Sequence, residues 1–522
     1  MNAALPNRLI DVSRERAVIL VFGAIAFGAG LLAALGTESW IATLSIVLFF
    51  AVIALTMPLR FVALAFAALM PFQFYFQIPG STTTLRGMLV VLVIAVARVL
   101  LERITTKRLT RLPSWILPAG VFLIAAFTAT FGAPDRYAAL KGIFDWLIIF
   151  ASVFVIGEIA QTDKSRQRLV IVLIAGGLVQ SILGLFEYVF QFDAILRLLQ
   201  TSVAEYFIQP NLLKERLADL SFNWYTVERI TPFGTFINAI DYAVFLAAIL
   251  ALVLALLLER RARAQTIALV ASALVLAGAL LLSFKTSGLL AAFAGVATIV
   301  LLQGLRSPSR TVAFVVLVLI VGVVIALPFA DLIVQRMTFV VQRELGLGGL
   351  GRLEIWANLA QYFGNRPIFG YGLNNSILLT DPSRTLVGGA SALNPTASEN
   401  AYLALLIETG AVGLCAFLSL IALTLSRAYR RARTDSSLSI GVCAAIVALL
   451  VGNLTVTGFT TDQNGMLLGI LLGMVFAPSL SLRGAVFATK QSPNSLPETP
   501  ALACGASVAS RSLYRAQRMC SQ

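Results

Sequence analysis

In the stretch TASENAYLALLIETG, residues 396 to 410, two carboxylates and an amide sit at the start of an otherwise apolar run. Glu399 stands beside Asn400, and Glu408 lies about two and a half helical turns further in. A carboxylate at such a boundary can orient an attacking hydroxyl or take its proton. It can also do something plainer: Thr396 and Glu399 fit the T-x-x-E capping box, in which the glutamate reaches back to the threonine N–H. Glu408 is harder to explain that way, because an ionisable group that deep in an apolar helix is costly and faces a partner or a cavity.

The complementary charges are cations. Arg229 stands in ERITPFGTFINAIDYAVFL, Lys285 in SFKTSG and Arg352 in GLGGLGRLEIW. Guanidinium groups suit a phosphate or diphosphate because their planar donors engage two oxygens at once. The glycines at 346, 348, 349 and 351 precede a predicted helix start at Arg352, a place where anions bind well. In DLIVQRMTFVVQREL, Arg336 and Arg343 are seven apart on one helical face, with Val334, Met337, Val340 and Val341 available to bury, which predicts an interfacial helix. Interfacial cations also anchor span ends to lipid headgroups, and that reading stays open for Lys285 and Arg229. Asp241 and Glu187 are further carboxylates at span ends.

The chain has no histidine, and its outer loops carry no close carboxylate pair. Metal ligation and a bound cofactor are therefore not expected. Cys415, Cys443, Cys504 and Cys520 show neither zinc spacing nor a disulfide framework.

The elements that must position these residues are membrane helices. Of 522 residues, 59% are hydrophobic and 12% charged, and the mean hydropathy is +0.89. Repeated apolar runs predict an all-α, polytopic protein lying in the lipid bilayer, with about 14 spans. They fall near 17–36, 40–56, 61–77, 86–101, 115–132, 143–160, 168–190, 238–258, 266–283, 287–303, 311–328, 401–425, 438–456 and 461–478. The first is too long for a cleaved signal and is followed at once by another. The expected organisation is N-terminal helices over 1–190, an outer loop at 191–237 and helices over 238–328. A large outer loop with interfacial helices then fills 329–400, between the eleventh and twelfth spans, before helices at 401–478 and a disordered tail at 479–522.

The net charge of +14 divides unevenly over this pattern. With the N-terminus inside, the inner segments hold 26 of the 39 Lys and Arg but only 8 of the 25 Asp and Glu. That is the positive-inside bias, with both termini cytoplasmic, and it removes nucleic acid as the reason for the charge.

The segment GRLEIWANLAQYFGNRPIFGYGLNN (351–375), followed by ENAYLALLIETGAVGLCAFL (399–418), resembles the bacterial O-antigen ligase and polymerase superfamily. Arg352, Trp356, Pro367, Gly370, Gly372, Asn400, Tyr402, Leu403, Glu408, Gly410, Gly413 and Leu414 match its pattern in order. Upstream, Arg229, Gly234, Thr235 and Phe236 look like its Arg and G-T-F segment. Lys285 lies where relatives often show Ser-Arg-Gly, a departure. The resemblance covers roughly residues 225 to 475.

It implies glycosyl transfer outside the inner membrane, from an undecaprenyl-diphosphate-linked glycan donor to an acceptor, beside other polysaccharide-assembly proteins. Arg229 and Arg352 would hold the diphosphate, assisted by Lys285, Arg336 and Arg343, which makes it a leaving group without metal. Glu399 would orient or deprotonate the acceptor, with Asn400, Tyr402 and Glu408 completing the substrate site. Ligases of the superfamily carry His where this chain has Glu399, so the resemblance favours a repeat-unit polymerase. A ligase acting on lipid A core or protein is the alternative, and a transporter or flippase is a third class that many spans would also suit.

Overall fold

The computed structural model describes residues 51, 55, 57–72, 75–77, 84–105, 113–199, 231–236, 238–259, 262–327, 330–331, 334–335, 338, 352–380, 400–434, 437–460 and 462–477. The first two expected spans (apart from residues 51 and 55), most of the 191–237 loop and the tail lie outside them.

The described chain is helical apart from one small hairpin. It runs α1 Leu59–Leu69, β1 Tyr75–Gln77, β2 Thr84–Arg86, α2 Gly87–Thr105, α3 Ile116–Thr130, α4 Arg136–Ile159 and α5 Asp163–Leu199. After these come α6 Ala239–Leu256, α7 Arg263–Leu282, α8 Thr286–Gly304, α9 Pro308–Ala326, α10 Arg352–Phe363 and α11 Ser376–Thr380. The last are α12 Ala401–Thr434, α13 Ser437–Gly452, a 3-10 turn at Gly458–Thr460 and α14 Asp462–Phe476.

Six helical segments among the described residues are long and apolar enough to cross a membrane: 136–159, 163–190, 239–256, 263–282, 286–304 and 401–433. Helices 59–69, 116–130, 437–452 and 463–476 are apolar but shorter.

Two boundaries depart from the sequence expectation for local reasons. The span expected over 61–77 stops at Leu69, because Pro71 cannot supply the next helical N–H. Its remainder turns into the antiparallel hairpin, with Tyr75 opposite Arg86 and Gln77 opposite Thr84, a three-residue pairing within an otherwise helical fold. The helix expected from 143 begins at Arg136, because Asp135 caps it by accepting the Ala138 N–H at 3.0 Å. Helix α5 also runs beyond the expected 190, to Leu199.

Helix α6 forms the centre. It is apolar around its whole circumference and almost entirely buried, as a helix surrounded by others must be. It packs against α13 and α8 through small residues, and a β-carbon on Gly288 would meet Leu280 at 2.8 Å and the Ala243 backbone at 3.0 Å. On the far side, Gly465, Gly469 and Gly473 form a stripe at four-residue spacing along α14. A β-carbon at 465 would stand 2.9 Å from Ile149 Cδ1, at 469 2.8 Å from the Ile149 carbonyl, and at 473 2.8 Å from Ile156 Cβ. Small residues at that period let helix backbones approach closely, which is a principal source of helix association in lipid.

The two ends of the bundle differ in chemistry. At one end arginines bind helix-terminal carbonyls: Arg166 Nε donates to Ala160 (2.9 Å), Arg431 Nη1 to Met474 (3.0 Å), and Arg306 to Ala432. Cations favour the carbonyl end of a helix, and these come from the segments in which the sequence concentrates Lys and Arg. The opposite end gathers glycines, amides and carboxylates.

Candidate functional site

The centre of that opposite end is a break in α12. At Gly410 the backbone leaves helical geometry (φ 67°, ψ −173°). In an uninterrupted helix the Ala411 and Val412 amides would donate to the Ile407 and Glu408 carbonyls. Here all four groups are satisfied by the turn 367–372 instead. Tyr371 N–H donates to Ile407 (3.0 Å) and Gly372 N–H to Glu408 (2.8 Å), while Ala411 N–H reaches Pro367 (2.8 Å) and Val412 N–H reaches Ile368 (3.3 Å). The turn is spliced into the helix, and none of these four groups is stranded.

Two glycines permit the splice. Gly370 (φ 72°) faces Gly410 so closely that a β-carbon on it would lie 2.6 Å from the Glu408 carbonyl carbon and 2.7 Å from Gly410 N. The P-x-x-G-x-G and E-T-G motifs are thus two halves of one contact. Tyr371 and Ile407 then pack with Leu359, and Trp356 and Tyr362 of α10 lie against that cluster.

Glu408 has a defined partner. Its side chain is buried, and Oε1 accepts the Ser376 hydroxyl at 2.6 Å and the Ser376 N–H at 3.3 Å. It therefore holds the start of α11 against α12. Next to it Asn375, wholly buried, accepts the Asp135 N–H (2.8 Å) and donates to the Asp135 (3.0 Å) and Leu373 (2.9 Å) carbonyls. Arg366 lies over the Tyr371 ring (4.7 Å) and donates to the Gly132 carbonyl. The turn is pinned to the start of α4 on one side and to α12 on the other.

At the start of α12 the cap is Asn400. Its Oδ1 accepts the N–H groups of Tyr402 (3.0 Å) and Leu403 (3.1 Å), and helix begins at Ala401. A capping box begun at Thr396 would start the helix earlier, so the cap this helix uses lies at Asn400. Ala401 N–H donates to the Asn453 and Val456 carbonyls, both at 3.0 Å. Tyr402 donates its hydroxyl to Leu450 (2.8 Å) and packs edge-on to Phe459.

The G-T-F segment is latched to α5. Glu187 Oε2 accepts the N–H groups of Phe233 and Gly234, each at 2.8 Å, and Gln180 Oε1 accepts that of Thr235 at 3.0 Å. Gln180 Nε2 donates to Thr235 Oγ1 and to the Pro71 carbonyl, each at 2.7 Å. Phe236 is buried against Tyr242 and Phe245. Lys285 is half-buried at the start of α8, after a turn in which Phe284 takes φ 50° and Ser283 Oγ donates to Leu280 (2.6 Å).

Of the expected site residues, Asn400, Tyr402, Glu408 and Lys285 lie at this one end. Arg352 is the first residue of α10, where a helix start was predicted, with its backbone alone described. Arg229, Arg336, Arg343 and Glu399 lie outside the described residues, as do Met337, Val340 and Val341 of the expected interfacial face, of which Val334 alone is described and is exposed. Residues 330, 331, 334, 335 and 338 of that stretch are helical. Sequence reasoning missed Gln180, Asn375, Ser376 and Arg366. Gln180 carried a signal, a polar side chain inside an apolar span; the NNS run at 374–376 carried another.

Residues 271–418 match the family described as O-Antigen ligase, under half of the chain and ending before the last two helices. The matched segment includes Lys285, Arg352, the spliced turn and the whole of 399–410, but not Arg229 or the G-T-F segment. No curated protein matches the chain. The family match places this segment, and the motifs it carries in order, in the O-antigen ligase and polymerase superfamily.

Proposed function

We propose that the chain is a membrane glycosyltransferase that polymerises undecaprenyl-diphosphate-linked oligosaccharide repeat units at the outer face of the bacterial inner membrane. An acceptor hydroxyl attacks the anomeric carbon of the donor, the bond from that carbon to the diphosphate oxygen breaks, and Glu399 receives the hydroxyl proton. Arg229 and Arg352 hold the departing diphosphate, with Lys285, Arg336 and Arg343 assisting, so the negative charge that develops there meets fixed cations. Asn400 fixes the backbone next to Glu399 by capping α12. Glu408 acts through Ser376 to keep the spliced turn in place.

The observation that carries this reading is the O-antigen ligase family segment in a chain that contains no histidine. Glu399 then stands where ligases of the superfamily carry their His, which favours polymerisation. The description of the matched family itself favours the second reading, transfer of a finished glycan to lipid A core or protein. A deletion strain distinguishes them. Accumulated single repeat units on the lipid carrier support the polymerase, whereas full-length polymer stranded on the carrier overturns it in favour of the ligase.

A further inference from the structure

The arginine-rich end of the bundle holds a cavity that the proposed glycosyl transfer does not use. Helices α5 and α13 begin there, at Asp163 and Ser437, and α12 and α14 end there, at Thr434 and Phe476. Arg166, Arg431 and Ser439 supply its polar lining, and Leu438, Val442 and Met474 make its walls apolar. With the space at its mouth it measures about 300 Å³. Around it on α12, Arg427 lies over the Phe476 ring (5.0 Å), and Arg430 and Arg433 are exposed.

Two of these cations are drawn together inside the bundle. Arg166 is 6% exposed and Arg431 half-buried, and Nη2 of each donates to the same Ala477 carbonyl. Arg166 also donates Nη1 to Asp163 Oδ1 at 3.2 Å. The remaining acceptors, at Ala160 and Met474, are carbonyls, which carry only partial charge. Asp163 offsets little of the pair's charge, because its side chain is 93% exposed and screened by water. Glu259 is turned to the start of α13, where it accepts the Ser437 N–H (3.2 Å). A guanidinium has five N–H groups. Arg166 commits three of them, which leaves two for a further acceptor.

We propose that this cavity seats the phosphate of an anionic phospholipid, drawn from the leaflet that the charge bias assigns to the cytoplasm. Paired guanidiniums suit phosphate oxygens, and basic pockets between the ends of membrane helices bind anionic headgroups. The apolar walls choose a lipid over a free phosphate: Leu438, Val442 and Met474 can cover glycerol and acyl carbons, a gain that a soluble anion does not offer. A phosphate held by Arg166 and Arg431 joins α5 to α12, and through the shared Ala477 carbonyl it joins both to the end of α14.

The test requires no glycan substrate and stands apart from the proposed function. The purified full-length chain is placed in phosphatidylcholine nanodiscs with a rising fraction of phosphatidylglycerol, and its Tm is followed. A ligand that binds the folded state alone raises Tm with its concentration. The expected result is a Tm that rises and saturates with phosphatidylglycerol. In Arg431→Gln the midpoint of that rise should move to about tenfold more lipid or beyond, the loss expected for one charge-assisted hydrogen bond. Val442→Phe fills the cavity but keeps both arginines, so it carries the comparison if Arg431→Gln does not fold. Arg430→Gln, on the exposed face, should leave the midpoint in place. A Tm indifferent to phosphatidylglycerol overturns the site, as does a midpoint shifted as far by Arg430→Gln as by Arg431→Gln, the mark of surface charge alone. An equal rise with inorganic phosphate in nanodiscs of phosphatidylcholine overturns the lipid as its occupant.

Discussion

Replacing Gly410 by alanine separates the spliced turn from an ordinary bent helix. The new β-carbon would stand 2.5 Å from Phe369 N, on a residue held at φ 67°. The positive-φ, extended conformation of Gly410 is open essentially to glycine alone and costs another residue about 1–3 kcal/mol, and overpacking at a tight contact costs about 1–3 kcal/mol. The docked turn should therefore be destabilised by roughly 2–6 kcal/mol. The chain has a way to escape: α12 can close into a continuous helix, restoring the Ala411 and Val412 bonds to Ile407 and Glu408. That route strands the amides of Tyr371 and Gly372 and pulls Glu408 from Ser376. Hydrogen exchange reads the difference directly. In Gly410→Ala the amides of Tyr371 and Gly372 should exchange about 30-fold faster or more, at tenfold per 1.4 kcal/mol, while those of Ala411 and Val412 stay protected. Unchanged protection at 371 and 372, with an unchanged Tm, would refute the splice as the device that organises this end of the bundle.

Other perturbations probe the parts separately. Glu399→Gln keeps the size and hydrogen-bonding capacity of the side chain but removes the base; polymer should be lost in cells with normal amounts of the protein, and normal polymer would remove Glu399 from the chemistry. Asn375→Ala removes three hydrogen bonds to Asp135 and Leu373, worth about 1 kcal/mol each; Tm should fall, whereas a surface-like Tm would show that the turn is not anchored on α4. Gly469→Val inserts a branched side chain where even a β-carbon meets the Ile149 carbonyl at 2.8 Å. It should lower folded yield in the membrane by separating α14 from α4, at a cost of about 1–3 kcal/mol.

The sequence discloses this fold unevenly, and the reasons are physical. Helix α6 was expected over 238–258 and is found at 239–256, and α8, expected over 287–303, is found at 286–304, because their ends coincide with sharp changes in hydropathy. The end of α1 depended on Pro71 and the start of α4 on Asp135, local signals outweighed by the apolar runs around them. The break at Gly410 is different in kind. Within AYLALLIETGAVGLCAFL a single glycine reads as a tolerated helix residue, and its positive φ exists only because the turn 367–372, far away in sequence, replaces the missing helical bonds. The carboxylates show both outcomes. The depth of Glu408 foretold a buried partner but not that the partner would be Ser376, and the capping role of Asn400 was not foreseen, because Thr396 and Glu399 beside it already fit a capping box.

The central claim is that this chain joins lipid-linked glycans. Its most direct test gives the purified protein, in lipid nanodiscs, a synthetic polyprenyl-diphosphate-linked repeat unit in the presence of EDTA and resolves the products by length. The account predicts a ladder of elongated lipid-linked oligosaccharides together with released polyprenyl diphosphate. Repeat units that remain single, with the protein folded and its Tyr371 and Gly372 amides protected, would contradict it.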